Sequence, residues 1–334
     1  MPASPTRRMV GVILLIPLIA ALALSAFAWP AARTAPHDLP VGVAGPAAAT
    51  APLQRGFERQ PGAFEVHRYD DEAAARAAIE ERDVYGAVVA APEGPHLLTA
   101  SAAGPAVAQL LREAVTARAP AGTQVRVTDV VATPPGDPRG GVFGASMLPL
   151  SLAGVATGAL VSLLALRGVR ALGTLFGAAA LAGLTATALA HNWLDVLAGD
   201  WWAEAGVFGL AVLAIGATVA GLAALLGRAG IGLGALLVVL LGNPLSGVSS
   251  APELLPESVG ALGQWLPPGA SGSLLRSVAY FDGNAAATPA LTLTAWAVLG
   301  LAAVLLAARR TAAAPETPDS PDAPARTREP APAA

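Results

Sequence analysis

The sequence of residues 203–227 is AEAGVFGLAVLAIGATVAGLAALLG, in which Glu204 is the single ionisable side chain. A helix needs about 20 apolar residues to cross the hydrocarbon core of a bilayer, and this run is long enough. Five other runs of similar length are almost free of charge. Together they predict an α-helical polytopic membrane protein with six transmembrane helices, at residues 9–29, 143–166, 171–190, 203–227, 231–249 and 288–308.

The composition of the whole chain excludes a water-soluble protein and several kinds of catalytic site. Hydrophobic residues make up 54% of the chain and charged residues only 13%, which is far from the usage in soluble domains. All 20 basic residues are arginine, and both Lys and Cys are absent. The chain therefore has no phosphate-loop lysine, no Schiff-base lysine, no thiolate nucleophile and no disulfide. The net charge of -3 gives no indication of nucleic-acid binding.

Arginine residues flank the predicted spans on one side of the membrane. Because cytoplasmic loops carry an excess of basic residues, both termini, residues 1–8 and 309–334, are predicted to be cytoplasmic. Most tryptophans fall on the other side, where indole rings favour the membrane interface. The pattern predicts a multi-pass protein of the cell (plasma) membrane; the flanking arginines are Arg7, Arg8, Arg167, Arg170, Arg228, Arg309 and Arg310.

The first apolar run allows two interpretations. Residues 9–29 are long enough to form an uncleaved transmembrane helix. An arginine pair, an apolar run and the tripeptide Ala26-Phe27-Ala28 are also typical of a cleavable signal peptide. The run is longer than the usual core of a signal peptide, which favours the anchor, and cleavage is the alternative.

Residues 34–142 have a different composition, with nine arginines against thirteen acidic residues. Strands that alternate with helices predict a small α/β domain with partly parallel pairing, and its place after the first span makes it extracytoplasmic. The tail, residues 309–334, is rich in proline and is predicted to be disordered. Strands are expected at residues 39–43, 64–69, 83–89, 96–101 and 124–131, and helices at 50–60, 71–82 and 105–118.

Residues 143–308 are predicted to form a five-helix transmembrane domain, and an outer loop at residues 251–287 precedes its last helix. Two short amphipathic helices joined at a Pro-Pro-Gly turn predict a re-entrant hairpin that dips into the outer leaflet, and a structured surface loop is the alternative. Just before this loop, within the fifth apolar run, proline and glycine leave backbone groups without helical hydrogen bonds, and lipid hydrocarbon cannot supply partners for them. This break predicts a cavity or gate, and a plain proline kink fits equally well; its residues are Gly242, Asn243, Pro244, Ser246 and Gly247.

Other small or polar residues suggest contacts rather than catalysis. The pairs Gly154/Gly158 and Gly173/Gly177 suit close helix packing within the bundle, with a dimer seam as the alternative. The four histidines lack the spacing of metal ligands, so we expect no enzyme activity, no cofactor and no metal site. Two acids in the outer turn between the third and fourth spans, Asp195 and Asp200, are candidates for contact with the polar headgroup of a cargo, and ordinary interfacial residues are the alternative.

The layout of the chain resembles the ABC-2-type permeases. One span is followed by a large outer domain that opens with Leu39-Pro40-Val41-Gly42-Val43, and five further spans follow with an outer hairpin before the last. The layout is most similar to the subgroup with a large extracellular domain after the first span, which includes the phage-infection-protein-like membrane proteins. The resemblance implies a membrane subunit that exports a lipid-like, glycan or peptide substrate. It also implies a homodimer or heterodimer energised by a separate ATP-binding subunit.

Two features depart from that family. Its members dock the ATPase through an amphipathic helix before the first span and a coupling helix after the second. Here only eight residues precede Met9, and the cytoplasmic loop after the second span is only Arg167 to Arg170. The alternative is a membrane-anchored extracytoplasmic binding or scaffold protein, or a secretion accessory, without transport activity. Without Lys or deeply placed acids the chain cannot drive uphill transport alone, so we predict that Arg167 and Arg170 contact an ATPase.

The predicted orientation can be tested because the native chain lacks cysteine. In intact cells, a membrane-impermeant thiol reagent should label Ala91→Cys and miss Ala313→Cys, since residue 91 is predicted outside and residue 313 inside. Both variants should be labelled once the membrane is permeabilised, which controls for thiol reactivity. The opposite pattern in intact cells would overturn the orientation.

Overall fold

The computed structural model describes residues 5–92, 94–118, 124–256 and 258–312. The chain begins with a long apolar helix, α1 (Pro5–Ala32). It then forms an α/β domain, and after that a bundle of helices that carries this domain at one end. The protein is therefore a polytopic helical membrane protein with a small mixed α/β domain.

Five strands build the sheet of the α/β domain, and their order in space is β2-β1-β3-β4-β5. β1 is parallel to both β2 and β3, β4 is antiparallel to β3, and β5 is parallel to β4. The partly parallel pairing predicted from the sequence is confirmed. The strands are β1 (Leu39–Ala44), β2 (Phe64–Tyr69), β3 (Gly86–Ala91), β4 (Gly94–Thr99) and β5 (Arg126–Asp129).

Helices cover both faces of this sheet because successive strand residues point to opposite sides. Val88 and Leu97 pack under two helices on one face, whereas Ala87 and Leu98 pack against a third helix on the other. The paired helices are α2 (Ala47–Glu58) and α4 (Pro105–Arg118), and the single helix is α3 (Glu72–Glu80).

The bundle is organised around one central helix, α7, which packs against α5, α6 and α11. Most residues of α7 are buried, as expected for a helix that is apolar on all sides. The bundle helices are α5 (Gly141–Leu163), α6 (Gly168–Thr187, continued as a π-helix over Ala188–Trp193), α7 (Trp201–Leu226), α8 (Arg228–Ala235, continued as a π-helix over Leu236–Gly242), α9 (Val259–Gln264), α10 (Pro267–Tyr280) and α11 (Ala287–Ala312).

The six transmembrane helices predicted from the sequence are not confirmed in the part of the chain that the structure describes. The apolar run at residues 231–249 is long enough to cross a bilayer, but its helix ends at Gly242. Pro244 and Gly247 follow within five residues, and neither residue type favours a continuing helix. Five helices are long and apolar enough to cross a membrane, namely Met9–Ala32, Gly141–Leu163, Gly168–Trp193, Trp201–Leu226 and Ala287–Arg309.

The α/β domain is docked on the bundle rather than tethered to it. A short 3₁₀ turn, Pro252–Leu254, lies beside the chain that leads into β1, and its Leu254 oxygen accepts a hydrogen bond from the backbone N–H of Ala35. Leu254 completes the core under α2 and α4. Phe281, which follows α10, completes the core on the α3 face. Both cores of the domain are therefore finished by residues of the bundle segment.

The two pairs of small residues face different surroundings. A Cβ atom at Gly154 or Gly158 would lie only 2.7 or 2.4 Å from atoms of α7, so this pair allows α5 to approach α7 closely. A Cβ atom at Gly173 or Gly177 would meet no atom of the described chain within 4 Å. Packing within the bundle therefore explains the first pair and not the second.

This difference predicts opposite effects of the same substitution. Gly158→Leu should lower the melting temperature of the purified full chain in detergent, because the new side chain would force α5 away from α7, and overpacking of this kind costs about 1–3 kcal/mol. Gly177→Leu adds the same side chain to an open helix face and should leave the melting temperature almost unchanged. Equal destabilisation by both substitutions would contradict this description of the bundle.

Candidate functional site

A polar cavity lies where the α/β domain meets the bundle, and we call it the junction cavity. Its volume is 360 Å³. Arg82 and Tyr85 line it from the α/β domain, and Glu253, Gln264 and Ser273 line it from the bundle segment. Such a concave site with a few converging polar groups is the usual form of a ligand-binding site.

Arg82 links the α/β domain to α10. One of its guanidinium nitrogens donates to the backbone oxygen of Ser273 at 3.1 Å and also to the hydroxyl of Ser277. The guanidinium carbon lies 5.2 Å from the centre of the Phe281 ring, within the range of a cation–π contact. Burial lowers the pKa of Arg82, an effect that the nearby Tyr85 and Glu253 oppose.

A second link joins Tyr85 to Glu253. The Tyr85 hydroxyl donates to a Glu253 carboxylate oxygen at 2.7 Å. Burial raises the pKa of Tyr85, and the charge of Glu253 raises it further. Tyr85 therefore keeps its proton and serves as the hydrogen-bond donor in this pair.

Arg276 on α10 supports the bundle side of the junction. Its guanidinium donates to the backbone oxygen of Val248 at 2.9 Å, and its carbon lies 4.9 Å from the centre of the Phe143 ring at the start of α5. The residue is only 4% exposed, and its Nε atom has no hydrogen-bond partner. Arg276 therefore joins α5, α10 and the segment after α8.

The predicted gate begins with Gly242, the last residue of α8, and continues in the irregular segment after it. Protein atoms provide hydrogen-bond partners for its polar side chains. The Asn243 amide donates to the backbone oxygen of Val238 at 3.1 Å and accepts from the Ser151 hydroxyl at 3.4 Å. The Ser246 hydroxyl donates to the backbone oxygen of Asn243 at 2.7 Å. Pro244 is half-buried beside them. A gating role for this segment stays a prediction.

Two glycines of this segment allow close contacts that a larger residue would block. A Cβ atom at Gly242 would lie 2.7 Å from the Pro268 ring of α10. Gly247 has a φ of +65°, which disfavours other residues, and a Cβ there would lie 2.6 Å from the Pro252 nitrogen. The break thus packs tightly against the hairpin that follows it.

The hairpin of α9 and α10 reaches into the bundle. The Trp296 indole N–H donates to the backbone oxygen of Trp265, at the tip of the hairpin, over 2.8 Å. Trp296 lies nine residues after the start of α11 at Ala287, which corresponds to about 14 Å along a helix. The tip therefore lies level with the third turn of α11, and a dip of the hairpin into the outer leaflet stays a prediction.

The structure places Asp195 and Asp200 in one connection, between α6 and α7, and both side chains are exposed. Asp200 caps α7, because its carboxylate accepts a hydrogen bond from the Ala203 N–H at 2.8 Å. Glu204, one turn later, is fully buried. Its carboxylate accepts from the Gly199 N–H at 2.9 Å and lies 2.8 Å from the Nδ1 atom of His191. Glu204 therefore fixes this connection, and no observation tests a headgroup contact of the two aspartates.

Arg167 and Arg170 lie at the end of the bundle away from the α/β domain, and both are exposed. The turn that carries them is tight, with positive φ at Ala165 and Gly168. A cavity of 220 Å³ lies beside Arg167, between the ends of α5, α7 and α11. We call it the far-end cavity, and it offers a concave surface that Arg167 lines.

Sequence reasoning did not identify the residues of the junction cavity. Arg276 carried a signal only as an arginine in a largely apolar stretch. Arg82 and Tyr85 carried none, because their partners lie far along the chain. The described residues hold no group of three or more His, Asp or Glu side chains placed to bind a metal ion. Comparison of the chain with protein-family models, with curated proteins and with solved structures gives no match.

The link between Arg82 and Ser277 can be measured by a double-mutant cycle. Arg82→Met and Ser277→Ala should each lower the melting temperature of the full chain in detergent, and the double variant should lower it little beyond Arg82→Met alone. A coupling of about 1–3 kcal/mol is expected for a shielded hydrogen bond to a charged group.

The exposed pair of Arg76 and Glu72 on α3, joined at 2.9 Å, is the matched control. Its coupling should not exceed about 0.5 kcal/mol, since the pair is solvated and four residues apart on one helix. Additive effects of Arg82→Met and Ser277→Ala would show that the link does not hold the domain on the bundle.

Proposed function

We propose that this chain is the membrane subunit of an ABC-2-type exporter, which moves a lipid-like, glycan or peptide substrate with the help of a separate ATPase. The observation that carries the proposal is the meeting of two partial helices inside the bundle. α8 ends at Gly242, and α10 starts beside it at Pro267 and Pro268. Transporters commonly use such discontinuous helices where substrate passes.

The proposal includes six crossings of the membrane, with the fifth only partly helical. α8 begins next to the end of α7, at the far end of the bundle. Its continuation reaches Leu254, which bonds to Ala35 at the other end. A short helix followed by irregular chain would thus complete the crossing, and irregular backbone is tolerated at membrane depth when protein surrounds it.

In this proposal the α/β domain is extracytoplasmic, and both termini lie in the cytoplasm of a cell whose plasma membrane holds the protein. The junction cavity would then lie at the outer surface of the membrane, beside the hairpin. Its polar groups from both parts would let the α/β domain respond to a change in the bundle. A substrate that leaves between the partial helices would pass this cavity.

Energy must come from a partner in this proposal. The chain has no Lys for a phosphate loop, and Glu204 is held by Gly199 and His191 near the domain end rather than at mid-membrane. Arg167, Arg170 and the far-end cavity form the surface that we assign to the ATP-binding subunit. We assign no catalytic role to the chain itself.

A dimer is part of the same proposal. The apolar window of α1 is not buried by the rest of the described chain, and the Gly173/Gly177 face of α6 is open. These surfaces are available to lipid or to a second subunit. The proposed dimer uses at least one of them, as small residues permit close contact between helices.

A second candidate function is a membrane-anchored scaffold or secretion accessory. The short turn between α5 and α6 favours it, because this turn leaves no room for a coupling helix. In that case the α/β domain would bind the partners, and the bundle would only anchor it in the membrane.

The two functions differ in whether an ATPase binds. The variant with both Arg167→Ser and Arg170→Ser should lose co-purification of an ATPase from native membranes, because the proposed contact surface loses both charges. The variant Arg228→Ser removes another exposed arginine and should retain the ATPase. Cysteine labelling at position 91 in each variant checks that insertion is unchanged.

If correctly inserted wild-type protein recruits no ATPase from its native membrane, the exporter proposal fails and the scaffold function replaces it. If the Arg167/Arg170 variant retains the ATPase as well as Arg228→Ser does, the ATPase binds elsewhere and the assignment of this surface is wrong.

A further inference from the structure

We infer that the α/β domain binds an amphiphile with one alkyl chain and an anionic head group. The site is a cleft between α2, α4 and the sheet, which we call the apolar cleft. It does not involve the bundle, so the inference is independent of the exporter proposal.

The size and lining of the apolar cleft suit an alkyl chain. Its volume is 770 Å³, within the range of about 300–1,000 Å³ that is typical of small-molecule sites. The lining is almost wholly apolar: its floor includes Leu53 and Phe57 of α2, Val88 of β3 and Val115 of α4. An alkyl chain placed there would be removed from water, and each buried methylene group contributes about 0.8 kcal/mol.

Small residues on the facing elements keep the cleft open. Ala49, Pro52 and Gly56 of α2 lie along it, together with Ala90 of β3 and Ala114 of α4. A bulkier residue at any of these positions would place its side chain where the space is now. The gap therefore results from the residues that line it, since cores are otherwise closely packed.

The position of the cleft in the fold supports a binding role. It includes Ala91, the last residue of β3, and residues that follow β1 and β3, namely Pro46 and Pro92. β1 and β3 are adjacent parallel strands, and the chain leaves β1 toward β2 on the opposite side. In open α/β sheets, ligands bind beyond the carboxyl ends of strands where the strand order reverses in this way.

The charged lining residues determine the head group. They are Arg59, just after α2, and Arg118, at the end of α4, and both are exposed. A Cβ atom at Gly56 would lie 3.9 Å from Cδ of Arg118, so this arginine borders the apolar surface of α2. An apolar cleft with basic groups at its border complements an alkyl chain that ends in a carboxylate or a phosphate.

Acidic residues near these arginines already have other partners. Glu58 accepts a hydrogen bond from Gln54 at 2.8 Å, and Glu113 accepts one from Gln109 at 2.9 Å. Neither acid lines the cleft. Among the lining residues that the structure describes, Arg59 and Arg118 are the charged side chains.

The test uses the full chain in phosphatidylcholine nanodiscs, with Ala91→Cys as its single cysteine, labelled with an environment-sensitive fluorophore at the border of the cleft. Decanoate and decyl phosphate are the anionic probes, and decyltrimethylammonium is the cationic probe with the same alkyl chain. We expect a saturable fluorescence change with at least one anionic probe and none with the cationic probe. The tighter anionic probe identifies the head group as carboxylate or phosphate.

Two variants of the labelled protein separate the cleft from the bilayer. Arg59→Gln with Arg118→Gln should weaken anion binding at least about tenfold, the usual loss for charge-assisted hydrogen bonds. Arg55→Gln with Arg112→Gln removes two exposed arginines of the same helices that do not line the cleft, and should bind as the parent does. Gly56→Phe should abolish binding by filling the cleft, with its melting temperature as the control for folding.

Equal responses to the anionic and cationic probes would overturn the inference, and so would equal binding by the two arginine double variants. A response that rises linearly with probe and is the same in Gly56→Phe would show partition into the bilayer only, and would also overturn it. Retention of a bound protein segment without any response to the alkyl probes would show that the cleft is a docking groove for a polypeptide instead.

Discussion

The backbone after Gly242 leaves the helix inside an apolar bundle, and its polar groups must find partners there. Arg276 donates to the Val248 oxygen, and Gln264 donates to the Ser246 oxygen. Both donors belong to the α9–α10 hairpin, so the break and the hairpin require each other. An unpartnered backbone group in this position would cost several kcal/mol. This constraint explains why the hairpin lies in the bundle instead of on its surface.

The position of α10 in turn determines how the α/β domain sits. The same helix that carries Arg276 presents Ser273 and Ser277 to Arg82 and leads into Phe281. A shift of α10 would therefore disturb the break on one side and the core of the domain on the other. The three parts form a continuous set of contacts, and such contacts are what couples one site to another in proteins that change shape.

Much of the fold could be predicted from the sequence, because hydropathy and periodicity report side chains. The α/β domain and five long helices follow from these patterns. The end of α8 does not, since the run at residues 231–249 is apolar enough to span and only its backbone departs from a helix. The junction cavity was missed for another reason: Tyr85 and Glu253 are 168 residues apart, and no local pattern reports such a contact. The apolar cleft depends on small residues such as Gly56. A small residue in the sequence does not indicate whether a neighbouring side chain fills the space beside it.

The docking of the α/β domain also constrains how the protein is made. The ribosome synthesises the strands and helices of the domain well before it reaches Leu254 and Phe281. These two residues are only 1% and 3% exposed, and they complete the two cores of the domain. During that interval both apolar surfaces lack their covering residues, and exposed apolar surface promotes aggregation of unfinished chains. Biogenesis therefore has a vulnerable period that ends only when the last third of the polypeptide is inserted, and a chaperone on the same side of the membrane would be most useful then.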